Sequence, residues 1–316
     1  MVKLNLNVPE SFYLPEERCG FTVTAEAKKQ WAVILDLLSE LLRVCEKHNL
    51  NIYISDGSLL GVVRHGGMIP WDDDIDTVML REDYNKLCEI AAEEFTHPYF
   101  FQTESSDPGS MRGHAQLRNS DTTGILKSEL DLGLAFNQGI FIDIFPLDNL
   151  PDDPRECERF KKELIRLRNK KDLWNRNTTR YKKTARKGLK SKLKNIAAPL
   201  FGKTVKVLGI KNPYFKKMEK LKIKYNSVES KYVADCACVF LLRGTKHRKE
   251  NFTDSPEYKD FEFIKVPVPD NYEEMLSFEY GNWKEFVVGT SVHGNTFFDV
   301  NRPYTEYIGE NIQEGR

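Results

Sequence analysis

The spacing of apolar and polar residues predicts a mixed set of helices and strands over residues 1–150. Between Ala25 and His48, apolar residues recur at three- and four-residue steps, which is typical of an amphipathic helix, and Thr24 is a candidate N-cap. A second helix is predicted over Glu82–Phe95. Short segments rich in β-branched and aromatic residues predict strands at 51–55, 75–80, 99–103, 115–119 and 139–145.

The pattern changes after a turn-rich segment at Asn149–Pro154. A long basic helix is predicted from Arg155 to Lys194, and another helix over Tyr214–Val228. The tail returns to strand-like segments and then predicts a helix over Asn271–Tyr280, which Gly281 ends. We therefore expect three parts: a catalytic core at 1–150, a basic helical insertion at 151–230, and a segment at 231–316 that returns to the core.

Charge is distributed unevenly along this chain, although its formal net charge is zero. Residues 155–222 contain 24 Lys and Arg against 5 Asp and Glu, so this tract carries about +19 and the remainder about −19. Such a tract is either a solvated helical face or a contact surface for anionic lipid head groups or a polyanionic substrate. Few aromatic residues are interleaved with the basic ones, so nucleic acid is not the expected partner.

The apolar segments and the cysteines indicate the cellular compartment in which we expect the protein. The mildly amphipathic segment 195–210 can lie on a membrane surface or pack on the core, and packing is slightly favoured. No apolar run approaches bilayer length, and the first residues show no signal-peptide pattern. Six scattered cysteines predict free thiols, and at Cys236 and Cys238 buried thiols are favoured over zinc. We expect a cytoplasmic protein, with peripheral contact at the inner face of the membrane as an option.

Four carboxylates within five residues interrupt the apolar frame of a predicted strand in IPWDDDID, residues 69–76. Because residues two apart in a strand share a face, Asp74 and Asp76 should point the same way, and Asp72 can join them at the strand mouth. Neighbouring carboxylates repel each other unless a cation lies between them. Their oxygens suit a hard divalent ion, so Mg²⁺ or Mn²⁺ is expected at Asp74 and Asp76.

A further acid lies inside the apolar run GIFIDIFPLD, residues 139–148. Asp143 stands between Ile142 and Ile144, so it is either a polar group satisfied by some partner or a metal ligand that faces the site. If a metal ion binds at Asp74 and Asp76, the interpretation of Asp143 as a further ligand is favoured. Asp148 has a turn context, is expected to be more exposed, and is a weaker candidate.

A phosphate site is predicted where a strand meets a short helix at Gly57 and Ser58. Glycine lets the backbone approach a ligand closely, and a helix N-terminus offers free N–H groups. A Gly-Ser turn alone is a weak signal. Followed by an acid pair and then by a distant acid in an apolar strand, it becomes a much stronger one.

Cationic side chains near this turn are candidates for phosphate contact. Arg64 and His65 follow the short helix, and Arg118 ends a strand beside a polar turn. An ion pair with the neighbouring aspartates is the alternative for Arg64, and a structural hydrogen bond is favoured for His65. His293, near the tail, is a further candidate.

The stretches DGSLLGVVRHGGMIPWDDDID and GIFIDIFPLD together resemble the LicD family of phosphotransferases, which includes fukutin-type ribitol-phosphate transferases. The resemblance is close over residues 37–148, weaker at VPVPDNYEEMLSFEYGNW in the tail, and poor in the basic tract. It implies an α/β (α+β) fold like that of nucleotidyltransferases: a mixed sheet flanked by helices, with a basic helical insertion. It also implies that Gly57 and Ser58 hold phosphate, and that the metal and catalytic residues are Asp74, Asp76 and Asp143.

The resemblance also implies a reaction. Members of the family transfer a phospho-alcohol, such as phosphocholine, from a CDP-activated donor to a sugar hydroxyl of a cell-surface glycan such as lipopolysaccharide, teichoic acid or capsule. The expected partners are therefore a donor such as CDP-choline and a glycan acceptor, which can be lipid-linked. Two alternatives remain: a nucleotidyltransferase acting on a small molecule or sugar phosphate, and a non-catalytic glycan- or lipid-binding module.

Overall fold

The computed structural model describes residues 1–127, 129–178, 180–181, 188–287 and 296–308. Within these ranges the strands are β1 (Glu16–Arg18), β2 (Phe21–Val23), β3 (Tyr53–Ile54), β4 (Asp76–Leu80), β5 (Tyr99–Gln102), β6 (Ala115–Asn119), β7 (Thr123–Leu126), β8 (Ile140–Asn149), β9 (Tyr232–Asp235), β10 (His247–Arg248), β11 (Glu257–Phe261), β12 (Ile264–Val268) and β13 (Thr296–Asp299). The α-helices are α1 (Ala25–Lys47), α2 (Asp56–Leu60), α3 (Arg81–Glu94), α4 (Pro154–Asn177), α5 (Leu189–Val207), α6 (Pro213–Lys222), α7 (Val239–Arg243) and α8 (Tyr272–Tyr280).

Strand β8 organises a seven-stranded mixed sheet. On one side β4 runs parallel to β8, and β3 pairs antiparallel with β4. On the other side β6 pairs antiparallel with the first half of β8, and β9 pairs antiparallel with its end. Strands β5 and β10 continue the sheet beyond β6 and β9. The mixed sheet with flanking helices confirms the α+β class that we predicted.

Helix α1 supplies much of the main core and matches its predicted bounds within one residue. The Thr24 hydroxyl accepts the Ala27 N–H at 3.2 Å, as expected for an N-cap. Its apolar stripe packs on the sheet beside Ile142 and Ile144, which are wholly buried. Because side chains alternate along a strand, the side chain of Asp143 lies on the opposite face, away from α1.

Several predicted elements have different limits in the structure. The strand predicted at 51–55 is only β3, because the chain enters α2 at Asp56. The strand predicted at 139–145 continues to Asn149, because β9 pairs with its end. The long basic helix predicted to Lys194 ends at Asn177, and Gly188, with φ of 140°, directly precedes α5.

The basic segment and the tail both pack against the core part. Helices α4 and α6 share a small apolar core with β9 and α7, centred on Phe160, Leu164 and Phe240. Strands β9 and β10 lie in the central sheet, so residues beyond 230 contribute to it. The domain limits at 150 and 230 stay predictions. Over the described ranges, no helix has the length and apolar character to cross a bilayer. The six cysteines are free thiols.

Candidate active site

Two of the predicted acids meet through strand register. Asp76, the first residue of β4, pairs in parallel register with Asp143 of β8. Gln116 of β6 is the partner of Asp143 on the other side. Directly paired residues project from the same face of a sheet, so Asp76, Asp143 and Gln116 form one row across it. Both aspartates are partly buried.

The loop before β4 brings three more carboxylates together. Oxygens of Asp72, Asp73 and Asp74 lie within 4.8 Å of one another. Helix α1 fixes this loop, since Trp31 donates its indole N–H to the Asp72 carbonyl at 3.0 Å and Gln30 donates to the Asp73 carbonyl at 3.2 Å. The three converging acids include Asp74 from the predicted metal set and Asp72, which we expected near the strand mouth.

Burial and mutual repulsion disfavour the charged form of these acids. Burial, followed by the charges of Asp74, Asp56 and Asp143, raises the pKa of Asp76 well above its usual range. Burial, followed by the charge of Asp74, raises the pKa of Asp72 to about 8. A hard divalent cation would relieve this repulsion and prefers carboxylate oxygens. The donor set therefore fits Mg²⁺ or Mn²⁺.

Asp143 differs from its neighbours because polar partners support its charge. Burial acts to raise the pKa of Asp143, but His114 and Gln116 outweigh it, and the pKa is lowered. The Gln116 amide donates to Asp143 Oδ1 at 2.6 Å. His114 Nε2 lies 3.2 Å from the same oxygen, close enough for an ion pair but without hydrogen-bond geometry. Asp143 is therefore the acid of this row that is best prepared to carry a negative charge.

The phosphate contact predicted for Arg118 needs correction. Its side chain is only 1% exposed, because β6 is buried along its whole length. The guanidinium donates to Gln102 at 2.8 Å, to the Gly139 carbonyl at 2.6 Å, and to Gln116. Since Gln116 in turn donates to Asp143, Arg118 positions the site from within the core instead of contacting a ligand.

Gly57 and Ser58 lie in the first turn of α2 and contact the acids. A Cβ at Gly57 would come within 3.3 Å of Asp72 Oδ2, so glycine allows that carboxylate to lie against the backbone. The buried Ser58 hydroxyl accepts the Asp76 N–H at 3.0 Å. These contacts position the carboxylates. Phosphate binding by Gly57 and Ser58 stays a prediction.

Arg64 and His65 contact the tail of the chain. Arg64 donates to the carbonyls of Trp283 at 3.0 Å and Glu285 at 3.1 Å, and also to His65 at 3.0 Å. Burial, followed by the charge of Arg64, lowers the pKa of His65 to about 4, so the imidazole is neutral at pH 7. Phosphate contact by either residue stays a prediction, and His293 lies outside the described residues.

Comparison with known proteins finds relatives that match this part of the chain. Residues 49–146 match the family model described as LicD/FKTN/FKRP, nucleotidyltransferase domain. The chain carries a LicD-family domain. It is 24% identical to the lipopolysaccharide cholinephosphotransferase LicD of Haemophilus influenzae, over 81% of this chain and 90% of that protein. An uncharacterised protein of Rickettsia prowazekii is 39% identical over 25% of this chain and 33% of its own length.

Asp148 lies just beyond the matched span of the LicD-family domain and is not exposed, contrary to our expectation. It belongs to β8 and has no exposed surface. Arg81 donates to both of its carboxylate oxygens, at 2.7 and 2.6 Å, and Asn226 adds a bond at 2.7 Å. This bidentate pair is a structural link between β8 and α3.

Three further acids, which no sequence pattern singles out, lie near the site of the LicD-family domain. Burial and the charge of Asp235 raise the pKa of Asp56 to about 6, while burial and the charge of Asp56 raise the pKa of Glu279 to about 8. Asp235 accepts three main-chain N–H groups of residues 237–239. Asp56 precedes Gly57 and has a left-handed backbone, with φ of 48°. Asp235 and Glu279 are distant in sequence, and only the fold brings them near.

Proposed function

We propose that this chain is a transferase that moves a phospho-alcohol, phosphocholine or a similar group, from a CDP-activated donor to a sugar hydroxyl of a cell-surface glycan. The register that sets Asp76 beside Asp143 carries the proposal, because it gathers acids from two separate parts of the sequence on one sheet face. The similarity to a lipopolysaccharide cholinephosphotransferase supports a transferase and suggests the class of donor and acceptor.

The proposal includes Mg²⁺ or Mn²⁺ held by Asp74, Asp76 and Asp143, with Asp72 beside them. When bound, the ion would neutralise charge that develops on the donor phosphates and on the leaving oxygen. The raised pKa values of Asp72 and Asp76 support this assignment, because burial and the charges of neighbouring aspartates disfavour their ionised forms, and a bound divalent cation would favour those forms.

Asp143 is the proposed general base. Its lowered pKa keeps it ionised near pH 7, and Gln116 fixes the orientation of its carboxylate. In the transfer, the acceptor oxygen forms a bond to the donor phosphorus, and the phosphoanhydride bond to CMP breaks. The hydroxyl proton passes to the Asp143 carboxylate, so the products are a glycan phosphodiester and CMP.

The test is CMP release from CDP-choline, CDP-ribitol and CDP-glycerol, with Mg²⁺, with Mn²⁺ and with EDTA. We expect metal-dependent release from one donor and its loss in Asp74→Asn. Asp260→Asn is a matched control, because Asp260 lies on the β11–β12 hairpin with its side chain 79% exposed.

Two results would overturn the proposal in different ways. Pyrophosphate release from CTP, with no CMP release from any CDP-alcohol, would indicate a nucleotidyltransferase. Donor or glycan binding that Asp143→Asn leaves intact, with no turnover by the unchanged chain on any donor and glycan acceptor, would indicate a binding module.

A further inference from the structure

Helix α5 carries large apolar side chains on its outer side. Four large apolar residues of this helix are between 58% and 76% exposed: Leu193, Ile196, Leu200 and Val207. At about 100° per residue these four fall within an arc of about 60°. The buried residues Ala198 and Val205 lie on the opposite side. A surface helix of a globular protein normally has the reverse arrangement, with its apolar stripe facing the core.

The inner side of α5 is fixed on helix α4, so the outward direction of the apolar face is set by packing. The rings of Phe201 and Trp174 of α4 are 5.7 Å apart. At Gly202, a Cβ would come within 2.8 Å of the Thr178 carbonyl oxygen, so the two backbones approach closely there. Rotating α5 to bury its apolar face would break both contacts.

Lysines border this apolar face. Lys192 and Lys203 are exposed and lie beside the arc of apolar side chains. Beyond the end of α5, four more lysines line a cavity of about 470 Å³ together with Pro213 and Phe215: Lys211, Lys216, Lys217 and Lys220. An apolar stripe bordered by lysines is the arrangement of helices that lie in the interface of anionic bilayers.

We propose that the outer face of α5 docks on a bilayer that contains anionic phospholipids. The four apolar side chains enter the boundary between head groups and acyl chains, and the lysines contact the anionic head groups. A second copy of this chain is a poorer occupant, because it would bring together two tracts that each carry about +19. Docking of this kind would hold the acidic site close to an acceptor anchored in the same membrane.

The test is co-sedimentation of the full chain with phosphatidylcholine vesicles, with and without phosphatidylglycerol. We expect binding only when phosphatidylglycerol is present, weakening as salt rises. The double variant Ile196→Asp, Leu200→Asp should bind at least about tenfold more weakly, because charged groups resist entry into the interface. Leu14→Asp is the control, since Leu14 is also exposed but lies outside the basic tract, and it should bind as the unchanged chain does.

Equal binding by the double variant and the unchanged chain would overturn the proposal, as would equal binding to both vesicle types. A dimer that the double variant converts to a monomer, with vesicle binding unchanged, would assign the face to a second copy. If the double variant fails to fold, Lys192→Gln with Lys203→Gln serves instead and should weaken binding several-fold. Binding is measured without a donor, so its outcome does not depend on the proposed transfer activity.

Discussion

The acidic loop before β4 and the basic helices α4–α6 carry opposite charge in opposite environments. The acids converge within 4.8 Å and are held by α1 and by their own backbone. Three lysines of α6, Lys216, Lys217 and Lys220, are spread out and exposed to solvent. Like charges held close together destabilise the folded state unless a ligand neutralises them. Like charges that are spread out cost little stability, and together they attract oppositely charged partners from a longer distance. The first arrangement indicates chemistry, and the second indicates attraction to a surface.

The largest effect that we expect tests how strongly the core part depends on paired charge. Arg81→Ala leaves Asp148 buried without its bidentate partner and should lower the free energy of unfolding by about 3–5 kcal/mol. Urea unfolding measures this loss. In the control Lys86→Ala, an exposed pair with Glu82 is removed, and the free energy of unfolding should hardly change, because solvent screens this pair. Similar losses in the two variants would remove the contrast between buried and exposed charge.

The second prediction tests whether Asp143 is needed more for catalysis than for the stability of the fold. Asp143→Asn keeps the side-chain shape, so we expect CMP release to fall by about a hundredfold or more while the urea midpoint changes little. Activity and unfolding are measured on the same preparation. An unfolding midpoint that collapses with activity would instead make Asp143 a structural residue.

The third prediction uses pH. The pKa of Asp72 is raised to about 8 and that of Asp56 to about 6, against about 4 in the unfolded chain. The folded state therefore holds more protons between about pH 4 and 8, so stability should fall as pH rises through this window. The loss of stability is measured by thermal unfolding in EDTA at about pH 4 and at about pH 8. Added Mg²⁺ should restore stability mainly at the upper end, and Asp72→Asn should flatten the dependence on pH. A melting temperature that stays constant would contradict the raised pKa values.

The smallest effect is expected on the outer face of α5. Leu200→Ser should change the free energy of unfolding by about 0.5 kcal/mol or less, because the side chain has little burial to lose. Leu164→Ala, at a fully buried position on α4, should cost about 2–5 kcal/mol. Both values come from the same urea titration. A large loss of unfolding free energy in Leu200→Ser would mean that this face of α5 is covered in solution.

Local sequence patterns correctly predicted those helices and strands whose limits depend only on nearby residues. Helix α1 has its own apolar stripe and N-cap, and β6 has the predicted bounds, Ala115–Asn119. The limits of β8 depend on β9, which lies far along the chain and pairs with Asn149, and no local pattern contains that information. Asp148 was misjudged for the same reason, because it was read as part of a turn.

The site shows the same division between local and distant information. The expected alternation of side chains along a strand singled out Asp74 and Asp76. The apolar residues on either side of Asp143 singled out that residue. Their partners came only from the fold, because His114 and Gln116 owe their place to the pairing of β6 with β8. Arg118 has the composition of a ligand-binding residue, and its burial follows from the position of β6 inside the sheet.

The pairing of β8 with β9 has a consequence for how this protein can vary. Asn149 and Val233 are direct partners, and Leu150 donates its N–H to the Tyr232 carbonyl at 2.9 Å. The two ends of the basic segment therefore lie side by side, about 5 Å apart, like the ends of a hairpin loop. Closing a longer loop costs little more than closing a shorter one. Chain closure therefore sets little limit on the length of this segment, and what constrains its replacement is the packing of Phe160 and Leu164 on the core and the bond from Asn226 to Asp148.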